Sequence, residues 1–258
     1  MSEIEINDLS FSYDANKYND KSYVLKNINL SLVSNQSVGI IGANGVGKST
    51  FLRILVGLLP SFEGEIIIDG LVLEKKNINE IRAKLGYVFQ DSDSQLFMNT
   101  VYDDVAFGPR SYNLSEKEVD ERTIKALEKV GILDIAKRPT YKISGGQKKL
   151  AAIATILSMG TDTILMDEPS AALDPENRER LINVLNELEG TKLLASHDLD
   201  FIYDTCERVI LFSDKKIVYD GPTRELLKDK YMLERYGLRL PLSFRFISST
   251  DRRSYGNS

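Results

Sequence analysis

Nine residues, GANGVGKST (42–50), stand between an apolar run, SVGII (37–41), and a stretch with helical periodicity, KSTFLRILVGLL (48–59). The order strand, glycine-rich turn, helix start is the context in which G-x-x-x-x-G-K-[ST] has physical meaning. Gly42, Gly45 and Gly47 let the backbone curl so that successive N–H groups point inward at an anion. The following helix adds its positive end. In that setting Lys48 reaches the β- and γ-phosphates of a nucleotide, and the Ser49 hydroxyl is placed to ligate Mg²⁺. A chance glycine-rich turn does not supply the whole pattern in the right place, so binding of ATP or GTP is expected, with Asn44 and Thr50 in the same loop.

A chain of 258 residues has room for one large α/β domain, or a domain with a modest subdomain. With 33 basic and 38 acidic side chains the net charge is −5. That argues against a broad, non-specific grip on nucleic acid. One cysteine, Cys206, has no partner for an internal disulfide, and in IYDTCERVI it reads as a small packed residue. The start, MSEIEINDLSF, lacks the basic-then-apolar order of a signal peptide. Apolar runs such as AAIATILSM (151–159) fall short of the roughly 18 residues a bilayer requires. A cytoplasmic protein is expected, acting at a membrane only through a partner.

Residues 3–13 and 24–33 alternate apolar with polar and read as antiparallel strands around a polar stretch, DANKYNDKS; EGEIIIDG reads as another strand. From about 95 to 160 the pattern becomes helical. LSEKEVDERTIKALEKVG carries a capping box, Ser115 with Glu118, and SGGQKKLAAIATILSMG opens at Ser144 and stops at Gly160. Apolar strands return at TILMD, KLLAS and VILF. Between the first two, DPENRERLINVLNELEG has Asp174 as N-cap and Pro175 in its first turn. The expectation is an α/β fold: a mostly parallel sheet with helices on both faces, an antiparallel β part and an inserted helical part. The domain is taken as 1–240, with core and β parts at 1–94 and 161–236, helices at about 95–160, and a short tail at 241–258. The last residues of that tail are expected to be loose.

At the end of TILMDEP, Asp167 is placed to hold Mg²⁺ and Glu168, one residue on, to polarise an attacking water. Acidic residues also end strands as solvated caps; paired with residues 42–50 the two carry chemistry. ISGGQKK (143–149) then resembles the LSGGQ signature of ATP-binding cassette ATPases, with Ile143 in place of leucine. The whole order matches that family over about residues 3–236: Tyr13, the phosphate loop, Gln90 after GYVF, the signature, ILMDEP, SAALD (170–174) and His197. The resemblance implies a P-loop NTPase core with ATP and Mg²⁺ as ligands. It implies that Tyr13 stacks on adenine, where an aromatic in a strand would otherwise be core. It also implies that Gln90 contacts Mg²⁺ and the water, and that Ser144, Gly145, Gly146 and Gln147 of one subunit cover the γ-phosphate held by a second. His197, the only histidine, would contact the γ-phosphate and orient Glu168 in either protonation state. Without the family it would be a histidine at a strand end.

FQDSDSQLFMNTVYDDVAFGP (89–109) resembles, more narrowly, the ATPases of energy-coupling factor transporters, including cobalt and nickel importers. GLRLP (237–241) adds to the likeness, and the chain ends soon after, so any extended C-terminal dimerisation region would be short or absent. Leu96, Phe97 and Met98, flanked by Asp91, Asp93, Asp103 and Asp104, would form an apolar groove with acidic edges for a partner helix carrying an apolar stripe and a basic residue. The competing reading makes Leu96 and Phe97 a plug of the helical core. The resemblance thus implies a motor subunit on the cytoplasmic face of the cell membrane, paired with a second ATPase and with coupling and substrate-binding membrane subunits. Its cargo would be a metal ion or a vitamin, with no nucleic acid expected. The alternative from another class is a soluble ATP-driven clamp on nucleic acid or ribosomes.

Overall fold

The computed structural model describes residues 4–14 and 22–245. Two sheets organise them. An antiparallel sheet has the order β2-β1-β4-β5, from β1 (Ile4–Phe11), β2 (Leu25–Leu32), β4 (Glu63–Ile68) and β5 (Leu71–Val72). The second, with β3 (Ser37–Ile41), β6 (Leu85–Val88), β7 (Thr163–Asp167), β8 (Thr191–Ala195), β9 (Arg208–Ser213) and β10 (Lys216–Pro222), has the order β10-β9-β3-β8-β7-β6. All its pairings are parallel except the edge pair β9–β10. The part of the chain expected as DANKYNDKS lies partly outside the described residues, as does the tail beyond residue 245.

The central strands are continuous apolar runs because both faces are covered. Alternation along them feeds two cores. Leu165, Leu193, Ala195 and Ile210 join a cluster with Phe51 and the inner face of the antiparallel sheet. Ile164, Met166, Leu194 and Leu211 join a cluster with the helices. The helices of this second cluster are α3 (Val101–Ser111), α4 (Glu116–Lys129), α5 (Gly145–Met159), α6 (Pro175–Glu187) and α7 (Leu199–Thr205), whereas α1 (Lys48–Leu55) and α2 (Ile78–Lys84) contribute Phe51 and Ile81 to the first. The capping boxes at Ser115–Glu118 and Ser144–Gln147 both form, and Gly160 ends α5 in the left-handed region. Among the described residues no helix is long and apolar enough to cross a membrane.

Two details differ from the sequence expectation. The edge strand β10 was not anticipated. In the energy-coupling factor ATPases that 89–109 resembles, the helix of this segment ends in AFGP, whereas α3 here runs on to Ser111 with Pro109 inside it. Pro109 has no N–H for the Val105 carbonyl four residues back; the Ser158 hydroxyl donates to that oxygen instead, at 2.7 Å.

Register sets the site. Ala195 pairs with Ile40 on one side and with Asp167 on the other. The strand bearing the two carboxylates is therefore not the neighbour of the phosphate-loop strand. β8 lies between them, and all three chains leave the sheet at one level.

Candidate nucleotide hydrolysis site

The phosphate loop leaves β3 through Gly42, whose φ is 149°; a Cβ there would stand 2.4 Å from the Phe212 carbonyl oxygen. It enters α1 through Gly47 at φ 105°. Within this curl Lys48 is buried, its Nζ donating to the carbonyls of Gly42 (2.9 Å) and Ala43 (3.2 Å). Burial lowers its pKa, opposed by the charges of Glu168 and Asp167. A phosphate would supply the anion that this ammonium lacks. Asn44 and Gly45 are exposed at the tip. Thr50 Oγ1 lies 3.0 Å from the Tyr13 hydroxyl. Tyr13 is 60% exposed and edge-on to Phe11, so its ring is not core.

Asp167, fully buried at the end of β7, accepts from Ser49 Oγ at 2.9 Å through Oδ1. Its Oδ2 is buried with no hydrogen-bond partner among the described residues. Burial, and then the neighbouring Glu168, push its pKa up, against the Ser49 bond. An orphaned carboxylate oxygen beside a hydroxyl is a hard oxygen donor set, and it fits Mg²⁺. Bound there with the phosphates, the ion would neutralise their charge; Ser49 and Asp167 are the residues that would hold it.

Glu168 follows with φ +49°, a left-handed conformation that costs a non-glycine residue about 1–2 kcal/mol. Its N–H is tied to the Ala195 carbonyl at 2.8 Å. The carboxylate Oε2 then receives Ser196 Oγ (3.2 Å), the His197 N–H (3.3 Å) and His197 Nδ1 (2.7 Å). Against a carboxylate, Nδ1 is the protonated nitrogen. Donation to a phosphoryl oxygen as well would need a proton on Nε2, so serving both partners takes the doubly protonated ring. Asp198 caps α7 and is held by Arg178, Nε to Oδ2 at 2.9 Å, a pair sequence reading did not find.

Ser144 and Gln147 satisfy each other at the head of α5. Gly146 is buried, and a Cβ there would lie 3.7 Å from the Ala172 carbonyl oxygen. Among the described residues no hydrogen bond joins residues 144–147 to residues 42–50. Asp174, in the loop beside them, caps α6 through the Asn177 N–H at 2.8 Å.

Residues 25–171 match the family described as ABC transporter. The energy-coupling factor transporter ATP-binding protein EcfA of Methanothermobacter thermautotrophicus is 42% identical over 92% of this chain and 76% of its own length. This chain belongs to the ABC transporter family. As an ABC ATPase it hydrolyses ATP in transport and uses ATP with Mg²⁺. CbiO1 of Clostridium perfringens, part of the ABC transporter complex CbiONQ, superposes with a TM-score of 0.79 at 33% identity over 95% of this chain and 98% of its own. The ATP-binding cassette MJ0796, a dimer in a post-hydrolysis state bound to ADP and phosphate, gives 0.77 at 28% identity over 86% and 99%.

In this ABC ATPase the segment after Gln90 divides its labour. Gln90 itself is exposed. Leu96 packs against the helical core and Met98 is half-buried, whereas Phe97 is 66% exposed and edge-on to Phe107, 4.9 Å between ring centres. The acidic rim is smaller than expected. Asp104 is buried, and its Oδ1 accepts the N–H groups of Phe97 (3.0 Å) and Met98 (3.1 Å). Asp93 pairs with Lys148, and Asp103 accepts from the Thr100 hydroxyl. Asp91 remains exposed, bonded to the Asp93 N–H and the Ser94 hydroxyl. The aspartates thus hold the loop that presents Phe97.

Proposed function

We propose that this ABC ATPase is the motor subunit of an energy-coupling factor type importer. Each hydrolysis site would be completed by the signature of a second ATPase subunit, and transport would run through separate coupling and substrate-binding membrane subunits. In that role it sits on the cytoplasmic face of the membrane. The cargo is a metal ion such as cobalt or nickel, or a vitamin.

The observation that carries this reading is Phe97. This exposed aromatic lines a cavity of about 320 Å³ together with Tyr87, Phe89, Phe107 and Met159 among others, downstream of Gln90. Aromatic anchors of this kind dominate interface energy. A nucleotide-dependent shift of Gln90 would reach Phe97 along seven residues of chain. Within the site we assign Glu168 to polarise the attacking water and His197 to orient it. Lys48 and the signature residues 144–147 hold the γ-phosphate from the two subunits, Gln90 contacts the metal and the water, and Tyr13 stacks on adenine.

The test is purification of the tagged chain from detergent-solubilised membranes, followed by uptake of cobalt, nickel and vitamins into vesicles carrying the complex. Recovery with integral membrane subunits, and uptake that needs ATP and is lost in Lys48→Ala, is the expected result. Recovery with nucleic acid or ribosomes, and no ATP-driven uptake, contradicts the reading.

A further inference from the structure

Lys149 is a charged residue in the interior. It is 2% exposed, and its Nζ donates to the main-chain carbonyls of Phe89 (3.0 Å) and Gln90 (2.8 Å). Among the described residues no carboxylate forms an ion pair with it. Burying an ammonium costs free energy that two carbonyl bonds only partly offset; an apolar side chain would fill the space without that cost. What the ammonium supplies is a fixed position for the loop. Its neighbourhood is the hydrolysis site: burial lowers its pKa, opposed by Asp167, Asp91 and Glu168.

A second side chain acts on the same segment. Gln95 accepts the Phe89 N–H through Oε1 at 3.1 Å, while its Nε2 donates to the Ala152 carbonyl (2.8 Å) and to Thr155 Oγ1 (2.9 Å). Both polar groups of the Phe89 main chain are therefore tied to α5. Beneath them β6 meets α5 at Gly86, where a Cβ would stand 2.0 Å from Ile156 Cγ2, so nothing intervenes between strand and helix.

We infer that Lys149 is a positioning residue that locks the main chain of Gln90 to the helix headed by the signature, so that the two move together. Ser144 opens the helix on which Lys149 sits about one and a half turns later. A γ-phosphate seated on residues 144–147 belongs to the second subunit's site, whereas Gln90 serves the site on its own chain. Lys149 thereby carries the occupancy of one site to the other. Beside it a cavity of about 370 Å³, lined by Gln90, Gly145, Ala171 and Ala172 among others, gives the signature and the 170–174 loop room to shift. This rests on the role proposed above for Gln90.

The experiment compares ATPase kinetics of the purified full-length chain and its variants Lys149→Met, Lys149→Arg, Gln90→Ala and the double variant Gln90→Ala/Lys149→Met. Misplacing a catalytic group by about 1 Å costs up to roughly a hundredfold in rate. Lys149→Met is expected to lose kcat on a scale of about ten- to a hundredfold while KM for ATP stays within about twofold. Lys149→Arg should recover most of the loss, and the double variant should be no slower than Gln90→Ala alone. Wild-type turnover in Lys149→Met beside a slow Gln90→Ala overturns the role of Lys149 only. Wild-type turnover in Gln90→Ala overturns the Gln90 reading itself. Losses that multiply in the double variant also overturn the inference, because Lys149 would then act by another route. If Lys149→Met melts early, Gln95→Ala, which releases the Phe89 N–H, the other main-chain tether of that residue, without touching charge, must show the same kcat-only loss, and its failure to do so overturns the inference.

Discussion

His197 Nδ1 lies 2.7 Å from Glu168 Oε2, the oxygen that also receives the Ser196 hydroxyl and the His197 amide. Three donors on one oxygen fix the carboxylate's rotation, and the backbone of Glu168 is pinned in a left-handed conformation by its bond to Ala195. Replacing His197 with Ala removes the ring but leaves the two other donors. ATP binding, followed with a fluorescent nucleotide, should persist, while hydrolysis falls by about 10²–10⁴, the scale of acid–base assistance. A rate within a few-fold of wild type would count against a catalytic histidine.

Phe97 is 66% exposed and meets Phe107 edge-on. Phe97→Ala should leave the free energy of unfolding nearly unchanged, within about 0.5 kcal/mol, as for an ordinary surface change. The isolated chain should keep its ATPase activity, while assembly with membrane subunits and uptake are lost. Early melting of this variant would make the side chain part of the core; full assembly and uptake would move the docking surface elsewhere.

Ser158→Ala tests how α3 tolerates Pro109. Without the hydroxyl the Val105 carbonyl is left buried and unpaired, at a cost of about 1–3 kcal/mol. Urea unfolding should show a lower midpoint with an unchanged slope. An unchanged midpoint would mean that the carbonyl has another partner.

Cys206 is buried, and burial pushes its thiol pKa up to about 12 from 9.0. In the folded chain it stays protonated where an unfolded chain's thiol ionises. Its contribution to stability is therefore full below about pH 9 and declines as pH rises towards about 12. At about pH 8.5 a thiol reagent should react slowly with the native protein and rapidly in denaturant. Equal rates in both conditions would show the thiol to be open.

What could be read from the sequence was local. The phosphate loop, Asp167–Glu168 and His197 each follow a short apolar strand, so motif and context sit side by side in the chain. The Ser115–Glu118 capping box, four residues long, forms as expected, and a second forms at Ser144–Gln147. Strand order is not local: nothing in KLLAS says that it passes between SVGII and TILMD. Asp104 reads in the sequence as part of an acidic edge and Lys149 draws no reading, because charged residues in VYDDV and QKKL look solvated. Helical spacing offered the missing signal. Lys149 precedes Ile153 by four residues and Ile156 by seven, and Asp104 follows Val101 by three, placing both on buried stripes.

The docking groove and the Lys149 link both need a working hydrolysis site at Glu168. Glu168→Gln keeps the size of the side chain and removes its charge. The decisive measurement is the nucleotide carried by this variant after incubation with ATP and Mg²⁺, together with its turnover. The expected result is retained, unhydrolysed ATP and a rate lower by about 10²-fold or more. Turnover close to wild type, with ADP as the bound nucleotide, would contradict the assignment.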